Sequence, residues 1–154
     1  MAKLSKDEAK RILVPLGIPM AATYGVLKTR EDVRALRPWM EAHERFVLKP
    51  ASGHGGEGIL LVRGKGPHGF ETNSGPLTAG EIEAHAFSIL AGDYGGDEQD
   101  AAVLEEFLEP HEALRELSPS GLADVRVISF LGYPVMAMVR IPTRASGGKA
   151  NLHL

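Results

Sequence analysis

Lys49 ends the apolar run FVLK and is followed by Gly53, Gly55, Gly56 and Gly58, after which a second apolar run, ILLV, begins. A phosphate chain needs a fixed cation and several backbone N–H groups brought close without intervening side chains. Glycine permits both the approach and the positive φ that such a loop requires. The arrangement is not a P-loop, because the lysine precedes the glycines and no Gly-Lys-Ser/Thr opens a helix. Nor is it a dinucleotide fingerprint, because the loop joins two predicted strands. Taken alone, the same residues also describe a surface hairpin with a snorkelling lysine.

Three more clusters carry chemistry. Glu105 and Glu106, just before Phe107 and Leu108, could present a carboxylate and backbone groups to an adenine edge while the apolar pair lines its face. A solvated acidic pair beside two core residues is the alternative. Asp124 and Arg126, two residues apart on a predicted strand, share a face as an acceptor for hydroxyls and a donor for anions, and a cross-strand ion pair explains them equally well. Arg140, Arg144, Lys149 and Asn151 place three cations and an amide within twelve residues. That density suits a phosphate or carboxylate group, or simply a solvated charged loop.

The elements that must position these residues follow from periodicity and punctuation. Residues 5–16, SKDEAKRILVPL, read as a short amphipathic helix with a capping serine, an inward stripe of Ala9, Ile12, Leu13 and Leu16, and a stop at Gly17. TREDVRALRPWMEAHE reads as a second helix with Val33, Leu36 and Met40 inward and a break or kink at Pro38. Residues 45–63 read as strand, glycine loop, strand; 64–77 as a loop; and 78–91 as a helix with Ile82, Ala86 and Ile89 or Leu90 inward. AAVLEEFLE fits either helix or strand by periodicity. Residues 123–141 alternate as a hairpin around a Gly-Tyr-Pro turn.

With 154 residues, 44% of them hydrophobic, the chain is large enough for one domain or two small lobes. The formal net charge of -3 gives no global attraction for nucleic acid or an anionic membrane, so a polyanion site must be local. Cysteine is absent, which excludes disulfides, thiolate metal sites and a cysteine nucleophile. No run approaches the ~20 apolar residues of a membrane helix, and the charged start MAKLSKDEAKR has no signal-peptide core. The expectation is a soluble, cytoplasmic protein; no oligomeric state follows from the sequence.

In their order along the chain, SKDEAKRILVPLGIP, FVLKPASGHGGEGILLV, VLEEFLEP, ADVRVISFLGYPVMAMVRIPTR and GGKANLHL resemble the ATP-grasp superfamily, and within it the RimK-like alpha-L-glutamate ligases. The similarity spans residue 5 to the end. It implies an α+β fold of two small lobes with antiparallel sheets and helices, an N-terminal lobe over 1–104 carrying the glycine-rich hairpin and a partial, incomplete C-terminal lobe over 105–154. It also decides the AAVLEEFLE run in favour of a strand.

By that resemblance, Lys6 and Lys49 contact the phosphates of ATP and the loop Gly53, Gly55, Gly56, Gly58 closes over them. Glu105, Glu106 and Phe107 form the adenine-binding hinge, and Asp124, with Glu112 as competitor, lies near the ribose. Arg126 lies near the acyl substrate or phosphate, Lys149 and Asn151 contact the nucleotide, and Arg140 and Arg144 are candidates to hold an acyl phosphate. The implied reaction joins a carboxylate acceptor to an amino-acid amine through that acyl phosphate, with positioning and electrostatics supplying the rate. Family members continue to a core aspartate and a Glu-x-Asn motif that bind magnesium. This sequence has neither, so no metal ligand is expected in it and a C-terminally truncated ATP-binding part is. The alternatives are a catalytically inactive nucleotide-binding module, or an ATP-grasp protein associated with sugar transfer or the cell envelope, whose Lys-Pro-Ala and glycine-loop pattern is similar.

Overall fold

The computed structural model describes residues 5–53, 55–94, 99–116, 118 and 121–143, the side chain of Asp7 excepted. The chain divides into two compact units, Met1–Phe107 and Leu108–Leu154.

The first unit opens with helix α1 (Lys6–Leu13), continued by a single 3-10 turn at Val14–Leu16 and stopped by Gly17 in the left-handed conformation. Strand β1 (Thr23–Leu27) leads to two short helices, α2 (Arg30–Arg34) and α3 (Leu36–Ala42), and then to β2 (Phe46–Pro50), β3 (Leu60–Gly66), β4 (Gly69–Thr72) and β5 (Gly75–Leu77). Helix α4 (Ala79–Leu90) and strand β6 (Ala102–Glu106) complete it. Helices α1, α2 and α4 each start at a capping box, Ser5 with Glu8, Thr29 with Asp32 and Thr78 with Glu81, in which hydroxyl and carboxylate satisfy N–H groups that the first turn leaves open. The backbone N–H donors of Ser5, Lys28 and Thr78 are the leading cause that holds Glu8, Asp32 and Glu81, respectively, below the usual carboxylate range.

Six antiparallel strands pair in the order β1-β6-β2-β3-β4-β5. One face of this sheet packs on α2, α3 and α4 through Leu27, Phe46, Leu48, Leu60, Val62, Ala102 and Leu104, against Val33, Leu36, Met40, Ile82, Ala86 and Ile89, all buried. Alternation along β2 and β6, where Val47 pairs with Glu105 and Lys49 with Val103, puts those four residues on the opposite face.

Several expectations need correction. Residues 64–77 are not a loop but the end of β3 plus β4 and β5. Gly69 and Gly75 take positive φ at the two turns, so the glycines that argued against strand are what let the ribbon fold back twice. The second predicted helix is two helices meeting at Ala35. Pro38 falls in the first turn of α3, where its missing N–H costs nothing, and a helix running through it would have left a carbonyl without a partner. In α1 only part of the apolar stripe points inward: Ala9 and Leu13 are half-buried, whereas Ile12 and Leu16 are exposed. The face turned to the sheet carries Lys6 and Lys10, one turn apart.

The second unit contains α5 (Glu112–Arg115) and a hairpin of β7 (Asp124–Phe130) and β8 (Tyr133–Arg140). Its turn is Leu131-Gly132, with φ of 50° and 85°, the type I′ pattern that suits strand twist; Tyr133 and Pro134, expected in the turn, belong to β8. Register places Val125 opposite Val139 and Val127 opposite Ala137 on one wholly apolar face. Asp124, Arg126, Ile128, Met136, Met138 and Arg140 make up the other. Val125, Val127 and Val139 are all more than half exposed. No helix among the described residues is long and apolar enough to cross a membrane.

Candidate functional site

The face of the first sheet turned away from the core holds a buried charge cluster. Glu105, with a side chain only 7% exposed, offers one carboxylate oxygen to each of two lysines. Lys49, at the end of β2, pairs with Oε1. Lys10 of α1 donates to Oε2 at 2.6 Å, and also to the Ala21 carbonyl at 2.7 Å and Thr23 Oγ1 at 2.9 Å. Glu105 is therefore no solvated acid, and its burial is tolerable because both oxygens meet a cation. Glu106 points elsewhere: its carboxylate accepts the Ala22 N–H at 3.0 Å, and its own N–H reaches the Ala22 carbonyl. Phe107 lies under the Arg45 guanidinium, 4.3 Å from ring centroid to Cζ.

Beside this cluster the glycine loop is tied at both ends. Lys6 Nζ donates to the carbonyls of Pro50 at 2.7 Å and Gly53 at 2.6 Å, and the Lys6 N–H reaches the Ala51 carbonyl. The Ser52 N–H donates to Asp100. At the far end, His85 Nε2 of α4 sits 2.9 Å from the Gly58 carbonyl and Tyr94 packs against the His85 ring. Gly58 has φ +68°, and a Cβ there would lie 2.5 Å from Tyr94 Cγ, so both backbone angle and space demand glycine. Gly55 has φ +67° with open space around it. Gly56 also has positive φ.

The first unit thus brings Lys6, Lys49, Gly53, Gly55, Gly56, Gly58 and Glu105 into one region, with Glu106 and Phe107 where β6 ends. In the second unit, Arg140 clamps Asp124 across the hairpin, its Nε at 2.6 Å from Oδ1 and its Nη2 on Oδ2. That hydrogen bond holds the guanidinium pKa above its ordinary value. Arg126 shares this face, exposed and opposite Met138. Glu112 is the first residue of α5. Arg144, Lys149 and Asn151, with His54 and His153, lie outside the described residues. Sequence reasoning missed Lys10, Asp100, His85 and Tyr94. Only Lys10 carried a signal, its i, i+4 spacing from Lys6.

A cavity of about 560 Å³ lies at the other end of β1 and β6, lined among others by Lys28, Arg30, Phe87 and Asp100. It includes neither Lys49 nor Glu105. Among the described residues no group of three or more His, Asp or Glu side chains could hold a metal ion.

An α+β chain with antiparallel sheets, whose lysine-ended strand runs through a glycine-rich connection into its neighbour, has the architecture of part of an ATP-grasp domain. The family model for sugar-transfer associated ATP-grasp matches residues 3–154, and the chain belongs to that family. No curated protein and no solved structure matches it.

Proposed function

We propose that the chain binds ATP on the outer face of the first sheet, as the nucleotide-binding part of a ligase. The observation that carries this reading is local charge. Two lysines, Lys10 and Lys49, pair with a single buried carboxylate, and a third, Lys6, holds the carbonyls of Pro50 and Gly53 at the start of the neighbouring glycine loop, in a chain whose overall charge is negative. An excess of ammonium groups beside a glycine-rich loop is the chemistry a polyphosphate selects.

In this reading Lys49 and Lys6 bind phosphate oxygens, Gly53 to Gly58 supply backbone donors, and the end of β6 at Glu105, Glu106 and Phe107 receives the base. Asp124 orients the ribose, and Arg126 and Arg140 hold the acyl substrate, with Arg144, Lys149 and Asn151 as further candidates. ATP supplies the γ-phosphate that activates a carboxylate toward an amine. The family description favours an acceptor from sugar-transfer chemistry over the alpha-L-glutamate ligase specificity.

Calorimetric titration with ATP tests the reading. Losing one charge-assisted hydrogen bond costs about 1.5–3 kcal/mol, so Lys49→Ala should weaken binding about tenfold or more. Equal affinity in the folded variant counts against the site. Binding without ADP formation in the presence of carboxylate and amine marks a nucleotide-binding module that does not ligate.

A further inference from the structure

We infer that Lys10 is a positioning residue: it keeps Glu105 neutralised so that Lys49 is free to move to the phosphates. The inference rests on the ATP-binding reading and adds a residue to it. Its basis is the unequal way in which the two lysines are bound. An ammonium group has three donors. Lys10 uses all three, on the Ala21 carbonyl, Thr23 Oγ1 and Glu105 Oε2, and its side chain is 11% exposed. It is fixed to β1 and β6 at once.

Among the described residues Lys49 has one partner, Glu105 Oε1, which engages one of its three donors there, and its side chain is 18% exposed. The two lysines compete for nothing, because each owns one carboxylate oxygen.

The consequence appears when a polyphosphate arrives. If Glu105 had Lys49 as its sole counter-ion, drawing Lys49 onto a phosphate would strand a buried carboxylate, and the cost would be charged against binding. With Lys10 in place, Oε2 keeps its cation and Oε1 is released to accept an N–H from the ligand or a water. Lys10 touches no phosphate in this arrangement and acts entirely through Glu105.

That dependence gives a test in which a merely structural role behaves differently. ATP affinity is measured by calorimetry for the wild type, Lys10→Met, Glu105→Gln, the double variant and Lys49→Ala, with Trp39 fluorescence confirming folding. Lys10→Met should weaken ATP binding tenfold or more, because Lys49 becomes captive. Adding Glu105→Gln should restore the affinity to within threefold of that of Glu105→Gln alone. A neutral Lys10→Met, or a loss that persists in full in the double variant, overturns the inference. Lys49→Ala separates the two claims: unchanged affinity there removes the ATP site itself, whereas a loss there together with a neutral Lys10→Met removes only the role of Lys10. Should Lys10→Met not fold, the double variant still decides, since it must match Glu105→Gln and a weaker affinity contradicts the proposal.

Discussion

Replacing Gly58 by alanine should destabilise the first unit well beyond what its backbone angle alone requires. A non-glycine residue in the left-handed region costs about 1–2 kcal/mol, and Gly58 sits there at φ +68°. The new methyl would also lie 2.5 and 2.7 Å from Tyr94 ring atoms and 2.8 Å from Pro50 Cγ, and forcing an extra carbon into packed surroundings adds about 1–3 kcal/mol. The sum is about 3 kcal/mol, which lowers the melting temperature of a domain of this size by about 10 °C or more. Gly55→Ala is the matched control. Its φ of +67° is the same, but no atom lies within 4 Å of the added Cβ, so it should show the angular cost and nothing else. Trp39, the chain's one tryptophan, belongs to α3 and reports urea unfolding of this unit by fluorescence. If Gly58→Ala proves no costlier than Gly55→Ala, the argument that Tyr94 and Pro50 close the loop base is wrong.

Two further outcomes follow from the same structure. Glu8, Asp32 and Glu81 have folded-state pKa values lowered by N-terminal hydrogen bonds, so their stabilisation is complete above the ordinary carboxylate range and is lost as pH falls through the lower, folded values. The triple variant Glu8→Gln, Asp32→Asn, Glu81→Gln should melt below the wild type at neutral pH, with the gap closing as pH falls below the ordinary carboxylate range; a gap independent of pH in thermal scans contradicts the capping account. The apolar face of the β7–β8 hairpin should make the chain self-associate with rising concentration, and Val127→Lys with Val139→Lys should reduce this in sedimentation velocity. A chain that stays monomeric throughout the concentration series rules that out.

What was legible in the sequence was whatever contrasted with its neighbours. Lys49 and the four glycines stood out because a charged residue and flexible backbone interrupt two apolar runs. Ile82, Ala86 and Ile89 were readable because α4 repeats its apolar residues at helical spacing behind a capping threonine. Lys10 was not, since its i, i+4 spacing from Lys6 shows only that the two share a helix face, while its meaning is set by Glu105, 95 residues away. The strands β4 and β5 were hidden for the opposite reason: Gly69 and Gly75 sit at strand starts beside the turns, and Pro76 lies in β5, the edge strand, where proline is compatible with pairing that it would oppose in the sheet's centre. Asp124 was read with its neighbour Arg126, whereas the fold gives it Arg140, because cross-strand register outranks spacing along one strand.

The strand order has a consequence for how the site comes into being. Strands β1 and β2 are consecutive strands in sequence yet do not pair, because β6, the last strand of the unit, is inserted between them. Until residues 102–106 arrive, the sheet is two pieces with facing open edges, and Lys10 and Lys49 stand without the carboxylate that joins them. Closing so long a loop is slow compared with forming the β2–β3 ribbon. The charge cluster therefore requires β6 to stand between β1 and β2, and an intact Lys10–Glu105–Lys49 bridge reports that this part of the sheet has closed.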